Sequence, residues 1–359
     1  MTRVLHWICD APSPYNSFLF RTLAATPGIE LLVHFRRLGV ASHPWTQSLL
    51  EGFESREIAS GSPIDPVVIR AAMASQGTAL VVGGWYDLTL QSVLTLARAP
   101  FAVWTDTPDR TADRSAPKRA LRDAWLRHVL PRATRVYGTG EPALDALHAM
   151  GAPRDRLQNF PYWIDLAQYG EGTTSPPGTA LTIMSSGRLA GVKGYDIGLE
   201  ALATAFRDAR VPFRWQVAGT GEDAPLLKAQ ADRLGIGAHV QWLGWTQPDT
   251  LPRLYQEADI FLHPARWEPY GVVVLEAMAS GLPVLASRRT SAALDRVTDG
   301  VNGLLHDVGD VATLASQLRW CDGHRDAVAT MRRAARTTAH EWPIDRAVHI
   351  IRDFLAALD

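Results

Sequence analysis

Short apolar runs alternate with longer amphipathic stretches through the first half of the chain. A buried strand of a parallel sheet reads as an unbroken apolar run, and a crossover helix repeats its apolar positions every three to four residues. The alternation therefore predicts strand–helix units. The predicted strands are Val4–Ile8, Ile29–Phe35, Ala79–Val82, Phe101–Trp104 and Arg135–Gly138. The predicted helices are Asn16–Ala25, Pro66–Ser75, Leu88–Ala97, Pro117–Val129 and Glu141–Met150.

A second series of the same kind follows a stretch rich in Gly, Pro, Ser and Thr at 170–178, which is typical of a linker. The predicted strands of this series are Leu181–Met184, Phe213–Val217, Val240–Leu243, Ile260–Leu262 and Pro283–Ala286. The predicted helices are Gly194–Phe206, Ala224–Leu234, Thr250–Ala258, Val272–Ser280 and Val311–Trp320.

Two α/β domains in tandem account for both series. At 359 residues the chain is longer than one hydrophobic core usually supports. We predict doubly wound parallel sheets in domains 1–168 and 169–342, followed by an amphipathic terminal helix over 343–358. In such sheets ligands bind at the carboxyl ends of the strands. The active site is therefore expected in the crevice between the domains.

Composition excludes several classes of protein. With 36 Lys and Arg against 37 Asp and Glu, the net charge is −1, which argues against general nucleic-acid binding. No apolar run approaches the ~18 residues needed to span a bilayer, and the N-terminus lacks the features of a signal peptide. Cys9 and Cys321 are too few for a disulfide framework or a structural zinc site. A cytoplasmic protein is expected.

One segment, Arg110–Arg135, departs from this charge balance. It holds eight basic residues and two acidic ones, an excess of six positive charges. Its predicted helix also carries Leu121, Trp125 and Val129 on an apolar face. A basic helix with Trp can lie on an anionic membrane surface. The alternative is an Arg-rich face exposed to solvent, and the pattern leaves both interpretations open.

The most informative chemistry lies where Glu268 occupies a Pro/Gly turn and Glu276 follows eight residues later in a predicted helix. Between them Gly271 allows the backbone to approach a ligand closely. Amides around Tyr270, Gly271 and Val272 would stand at a helix N-terminus, which favours an anion. Carboxylates accept hydrogen bonds from hydroxyls. A sugar nucleotide offers both hydroxyls and phosphates.

Two loops after other predicted strands add to this site. The first contains Gly187, Arg188 and Lys193, which bring a tight turn and two cations to a helix start. Arg grips phosphate through a bidentate fork, while Lys acts as a compact charge. The second loop contains Gly219 and Gly221, a Gly-x-Gly pair that by itself indicates only a close approach of the backbone.

Together with Gly281–Pro283 and Asp299–Gly303, these segments occur in the order found in a known enzyme family. The chain resembles the retaining glycosyltransferases of family 4, the glycosyl transferases of group 1, through their Glu-x7-Glu motif. The resemblance implies the GT-B fold, in which two Rossmann-like domains face a central cleft. In that family the final helix crosses back onto the N-terminal domain.

The resemblance also implies a role for each matched residue. Arg188 and Lys193 would contact the donor diphosphate, Glu276 the ribose hydroxyls and Glu268 a hydroxyl of the transferred sugar. The resemblance also places six further residues in the donor-binding site: Gly187, Gly219, Gly221, Tyr270, Gly271 and Val272. Neither a metal nor a cofactor is expected, because the cations and helix N-termini supply the positive charge, and no Asp-x-Asp metal motif lies in a suitable loop.

The chain departs from the family pattern at three places. A Gly-Gly loop after the first strand is replaced by 11–17, where Asn16 or Ser17 is expected to cap the next helix. The family's His-Asp pair near the acceptor keeps only Asp106. This residue either orients the acceptor hydroxyl or accepts its proton, or it forms an Asx turn before Pro108. A Gly-Gly-x-Pro-Glu segment is replaced by Ser291–Asp295.

The implied function is transfer of a sugar, with retention of configuration, from a nucleotide-sugar to a hydroxyl of a glycan or lipid-linked acceptor. Surface polysaccharide or glycolipid biosynthesis at the inner face of the cytoplasmic membrane would use such an enzyme. The alternative is a GT-B module that binds nucleotide without catalysis. A dinucleotide oxidoreductase is disfavoured, because residues 9–17 contain no glycine.

Overall fold

The computed structural model describes residues 3–39, 48–58, 64–109, 115–170, 172, 176, 179–207 and 213–358. The chain divides into two units, one formed by Met1–Trp163 with Pro343–Asp359 and the other by Ile164–Trp342. This division falls a few residues before the predicted boundary at 168. Most of the predicted linker at 170–178 lies outside the described residues.

The first unit is built around a parallel sheet with strand order β3-β2-β1-β4-β5-β6-β7. Its strands are β1 (Val4–Cys9), β2 (Glu30–Phe35), β3 (Glu54–Glu57), β4 (Thr78–Gly83), β5 (Phe101–Thr105), β6 (Arg135–Gly138) and β7 (Leu157–Asn159). Its helices are α1 (Pro14–Ala24), α2 (Pro66–Met73), α3 (Leu88–Leu96), α4 (Ala116–Val129) and α5 (Glu141–Ala149).

The second unit contains another parallel sheet, with strand order β10-β9-β8-β11-β12-β13. Its strands are β8 (Thr182–Ser186), β9 (Arg214–Ala218), β10 (Val240–Gly244), β11 (Ile260–His263), β12 (Val284–Ser287) and β13 (Gly303–His306). Its helices are α6 (Tyr195–Ala205), α7 (Ala224–Arg233), α8 (Leu251–Gln256), α9 (Val272–Ala279), α10 (Ser291–Arg296), α11 (Val311–Gly323) and α12 (Arg325–His340).

The terminal helix α13 (Asp345–Ala356) belongs to the first unit. Its inner positions are apolar and buried, including Ile351 and Phe354. Arg3 ties this end of the chain to the unit, because its guanidinium donates to the carbonyl of Leu358 at 2.6 Å. The helix contacts α1, although the two helices lie more than three hundred residues apart in the sequence.

Helix α1 begins at a different residue from the one expected. Ser13 is its N-cap, and the Ser13 hydroxyl accepts a hydrogen bond from the amide of Asn16 at 3.3 Å. Pro14 occupies the first helical turn, where its missing N–H costs nothing. The prediction that Asn16 or Ser17 caps this helix is therefore wrong. The hydroxyl of Ser17 donates instead to the carbonyl of Leu49 at 2.6 Å.

Part of the basic segment Arg110–Arg135 lies outside the described residues, at 110–114. Within α4, Leu121 is 74 % exposed, whereas Trp125 is half-buried and donates to Thr95 at 3.0 Å. Arg132 donates to carbonyls near the end of α3, including that of Ala97 at 2.9 Å. Arg132 thus has a structural role, and membrane contact by the segment stays a prediction. None of the described helices combines the length and hydropathy needed to cross a membrane.

A partly buried polar network joins the first three strands. The ring nitrogens of His6 on β1 and His34 on β2 lie 2.9 Å apart, and the two imidazoles are stacked. Arg56 on β3 lies 3.4 Å from the other nitrogen of His34 and forms an ion pair with Asp65 at 2.9 Å. Burial, followed by the charges of His6 and Arg56, lowers the pKa of His34 to about 3, against the opposing effect of Asp65.

This network makes the first unit less stable in acid. In the unfolded chain His34 takes up a proton at its ordinary pKa of about 6.5, whereas the folded chain does so only near 3. Between these values the unfolded state binds more protons, so stability falls as the pH is lowered. Above about pH 6.5 His34 contributes no pH dependence. The His34→Gln variant is expected to show a shallower loss of unfolding temperature between these limits, measured by circular dichroism. Equal slopes would contradict the assignment.

Strands β8 and β11 form the switch point of the second sheet. The chain runs outward from β8 through β9 to β10, then returns beside β8 to begin β11 and continue in the opposite direction. The hydroxyl of Ser185 on β8 donates to the carbonyl of Leu262 on β11 at 2.6 Å. Because a switch point separates the two adjoining loops, a crevice forms outside the strand ends. The loops after β8 and β11 border that crevice.

Candidate functional site

The loop after β8 is held by close backbone contacts. A side chain at Gly219 would place its Cβ atom 1.9 Å from the carbonyl oxygen of Gly187, and Gly219 has a φ of +146°. Glycine is therefore required for the two loops to touch. The loop then presents Arg188, whose Nε lies 3.1 Å from a carboxylate oxygen of Glu222, with both side chains more than half exposed. Gly221 approaches the same loop through the backbone of Leu189.

Lys193 and Glu268 meet across the switch point. The ammonium of Lys193 donates to Oε2 of Glu268, and Nε2 of His263 lies 3.3 Å from the same oxygen. Glu268 is only 8 % exposed. Burial alone would raise the pKa of Glu268, but the contacts with His263 and Lys193 lower it to about 2. Glu268 is therefore a carboxylate throughout the physiological range.

A second link between the two loops comes from Arg266. Its guanidinium donates to the carbonyl of Gly191 at 2.8 Å and to both carboxylate oxygens of Asp196, at 2.7 and 2.6 Å. The amide of Arg266 also donates to the carbonyl of Val192 at 2.8 Å. The segment that leads to Glu268 thus fixes the backbone that carries Lys193.

Gly271 and the start of α9 lie beside Glu268. Gly271 has a φ of +101°, and a Cβ atom there would lie 2.9 Å from Cγ of Glu268. Helix α9 begins at Val272 and no side chain caps it, so N–H groups of its first turn lack intrahelical partners. The side chain of Tyr270 is buried, and its carbonyl accepts a hydrogen bond from the amide of Ala292 at 2.8 Å. An anion would be favoured at such a helix start.

Glu276 lies on α9, eight residues after Glu268, in a cluster of hydroxyl groups. The phenol of Tyr255 donates to Glu276 Oε2 at 2.8 Å, and the hydroxyls of Tyr255 and Ser186 lie 2.6 Å apart. Burial raises the pKa of Glu276, opposed by hydrogen bonds from Tyr255 and Tyr169. Sequence reasoning missed this shell of tyrosines and His263. His263 and Ser186 stand at the carboxyl ends of β11 and β8, which is a signal that the sequence offers. The tyrosines have no comparable local signal.

Sequence comparison places this site in a family. Residues 173–338 match the profile of the family described as glycosyl transferases group 1. The second unit belongs to the glycosyl transferases of group 1. The chain is similar to the D-inositol 3-phosphate glycosyltransferase of Nocardia farcinica, 30 % identical over 263 residues, which cover 69 % of this chain and 58 % of that protein. It is also similar to the lipopolysaccharide core biosynthesis glycosyltransferase LpsE of Rhizobium meliloti, 37 % identical over 141 residues, 39 % of this chain and 38 % of that one. The chain thus spans little more than half the length of the first of these relatives.

Solved structures agree on the fold. The Anabaena protein HepE in complex with UDP aligns with a TM-score of 0.76 at 20 % identity, covering 99 % of this chain and 100 % of that chain. Sucrose-phosphate synthase from Thermosynechococcus elongatus aligns with a TM-score of 0.75 at 16 % identity, covering 99 % of this chain and 100 % of that chain. The prediction of two doubly wound parallel-sheet domains of the GT-B type is confirmed.

Asp106, the predicted acceptor-side residue, follows β5 in the first unit rather than lying in the glycosyl transferase unit. Its carboxylate accepts a hydrogen bond from the hydroxyl of Thr139 at 3.1 Å. Burial, followed by the charge of Asp106, raises the pKa of Tyr162 well above its ordinary value. The carboxylate is therefore positioned by two hydroxyl-bearing side chains. Its role toward an acceptor stays a prediction.

In the glycosyl transferase unit, Glu276→Ala is expected to weaken nucleotide binding by about 10- to 100-fold, because the hydrogen bonds that the carboxylate would accept from the ribose hydroxyls are lost. Isothermal titration calorimetry with a nucleoside diphosphate measures this change. Glu257→Ala is the matched control, since Glu257 pairs with Arg253 on the surface of the same unit. Unchanged affinity in the Glu276 variant would rule out its assignment to the ribose.

Proposed function

We propose that this protein is a retaining glycosyltransferase, which moves a sugar from a nucleoside-diphosphate donor to a hydroxyl group of an acceptor. The observation that carries the proposal is the meeting of Lys193 and Glu268 at the β8–β11 switch point, beside the start of α9. A cation and a helix N-terminus suit a diphosphate, and a buried carboxylate suits a sugar hydroxyl. Membership of the second unit in the group 1 family supports the same reaction.

Charge neutralisation at the diphosphate is the main task of the protein in this reaction. In the structure Lys193 is paired with Glu268, and Arg188 is paired with Glu222. A bound diphosphate would compete for both cations and release the Glu268 carboxylate toward the sugar. Because the cations are already placed on ordered loops, little reorganisation is needed when charge develops on the leaving group.

The proposed reaction needs no reagent other than the donor and the acceptor. The bond between the anomeric carbon and the diphosphate oxygen breaks, and a bond from the anomeric carbon to the acceptor oxygen forms on the same face. The acceptor's proton passes to the departing phosphate oxygen. Glu268 and Glu276 are not assigned the acid and nucleophile roles of retaining glycosidases, because Glu276 is assigned to the ribose.

The comparisons suggest which substrates to test first. HepE has been crystallised with UDP and with UDP-glucose, so UDP-sugars are the first donors to test. Two relatives are named for glycosylation of an inositol phosphate and of a lipopolysaccharide core. We therefore propose a glycan or lipid-linked acceptor in surface polysaccharide or glycolipid biosynthesis. The exposed basic residues of α4 and Leu121 would meet anionic lipid at the inner face of the cytoplasmic membrane.

A donor screen tests the proposal. UDP, GDP, ADP and their common sugar conjugates are compared by thermal shift, and the stabilising donors are then assayed for hydrolysis. We expect slow hydrolysis that releases the sugar with its original anomeric configuration, read by nuclear magnetic resonance. Turnover is expected to persist in EDTA, because Arg188 and Lys193 are proposed to replace a metal. Nucleotide binding without turnover of any donor would instead support the non-catalytic module.

A further inference from the structure

Arg289 lies beside Glu268 and has an aromatic ring as its partner. The amide of Glu268 donates to the carbonyl of Arg289 at 3.0 Å, and Cζ of Arg289 lies 4.6 Å from the centre of the Trp267 ring. Trp267 is itself attached to the cationic loop, since its amide donates to the carbonyl of Val192 at 3.2 Å. Arg289 therefore stands at the edge of the two loops that carry Lys193 and Glu268.

The other cations near this point differ from Arg289 in one respect. Each forms an ion pair with a carboxylate, whereas Arg289 has no such partner in the part of the chain that the structure describes. Its side chain is also exposed. The pairs formed by the neighbouring cations are Arg188–Glu222, Lys193–Glu268, Arg266–Asp196 and Arg288–Asp299.

A guanidinium stacked on an aromatic ring keeps its full charge. The ring limits the rotation of the Arg289 side chain, while the N–H groups in the guanidinium plane remain available for hydrogen bonds. Two parallel N–H donors match a carboxylate or a phosphate. Arg289 also lies two residues before Ser291–Asp295, the segment where the chain departs from the Gly-Gly-x-Pro-Glu pattern.

We propose that Arg289, held on Trp267, binds a carboxylate or phosphate group of the sugar ligand that Glu268 contacts, so that the enzyme selects an anionic glycosyl ligand. The inference rests on the proposed function. The same anionic chemistry has two sources, a uronic acid as the transferred sugar of the donor or a phosphate group on the acceptor.

Two arms distinguish these sources. The donor arm compares, by calorimetry, the affinities for the glucuronate and glucose conjugates of UDP, or of the nucleotide that the donor screen selects. The acceptor arm compares inhibition of donor hydrolysis by glucose 6-phosphate and by glucose. Each arm uses the wild type, Arg289→Ala, Arg289→Lys and the control Arg253→Ala, whose side chain is 80 % exposed on α8.

In either the donor arm or the acceptor arm, the wild type is expected to bind the anionic ligand about 10- to 100-fold more tightly than the neutral one. Arg289→Ala should bring that ratio close to one, Arg289→Lys should retain part of it and Arg253→Ala all of it. The proposal is overturned by ratios near one in both arms, or by a preference that survives in Arg289→Ala. An equal loss of affinity for UDP itself would also overturn it, by assigning Arg289 to the diphosphate. Failure of the proposed function is visible separately, as absence of donor hydrolysis by the wild type.

Discussion

Replacing Lys193 by alanine is expected to lower the turnover number by about 10²- to 10³-fold, the usual cost of removing one group that stabilises developing negative charge. Lys193 is only 22 % exposed, and its ammonium lies at the switch point where the leaving diphosphate would sit. Water replaces a buried cation poorly, because it must reorient as charge develops. Steady-state kinetics with the donor identified by the screen measures the loss.

Arg188→Ala is the companion variant and is also expected to reduce turnover by orders of magnitude. Arg188 is 58 % exposed, so solvent screens its charge more strongly, and its effect should be smaller than that of Lys193. Arg253→Ala is the control, since Arg253 pairs with Glu257 on the surface of the same unit. Thermal unfolding checks that each variant is folded. Near-normal turnover in either loop variant would remove that residue from the mechanism.

Much of the fold followed from apolar periodicity, and two of the elements that were missed, β3 and α12, are poor in large apolar side chains. Strand β3, with the residues Glu54–Glu57, lies at the edge of its sheet and carries polar side chains, so it has no apolar run to detect. Helix α12 is rich in Ala, Arg and Thr and buries small or medium side chains such as Val328 and Ala335. A helix of that composition resembles an exposed segment when only the sequence is read.

The sequence predicts which loops form the candidate site, but it does not predict which side chains contact each other there. The Lys193 and Glu268 loops each follow a predicted strand, and parallel strands end at the same edge of a sheet. The contact between the two side chains joins residues 75 positions apart, so no local pattern encodes it. The same holds for Tyr255, which reaches Glu276 from another helix, and for the Arg266 contacts.

Asp259 marks the opposite end of the same two strands, and its replacement is expected to have the largest effect on stability. It is fully buried and lies just before β11, where its carboxylate accepts from the amide of Thr182 at 2.8 Å. The same carboxylate oxygen lies 3.2 Å from the guanidinium of Arg325 on α12, which is almost as deeply buried. Asp259 thereby joins β8, β11 and α12.

Asp259→Ala is expected to lower the free energy of unfolding of the second unit by about 3 kcal/mol, because the Arg325 guanidinium loses its buried partner and keeps only Asp322, a 38 % exposed carboxylate 2.7 Å away. Arg325→Ala should cost a similar amount, and the double variant should cost less than the sum of the two. The exposed residue Asp249 provides the control, since Asp249→Ala should change stability by no more than about 0.5 kcal/mol. Urea denaturation followed by circular dichroism measures each value. Additive losses in the double variant would show that the two side chains act independently, and that packing rather than charge holds α12 to the switch strands.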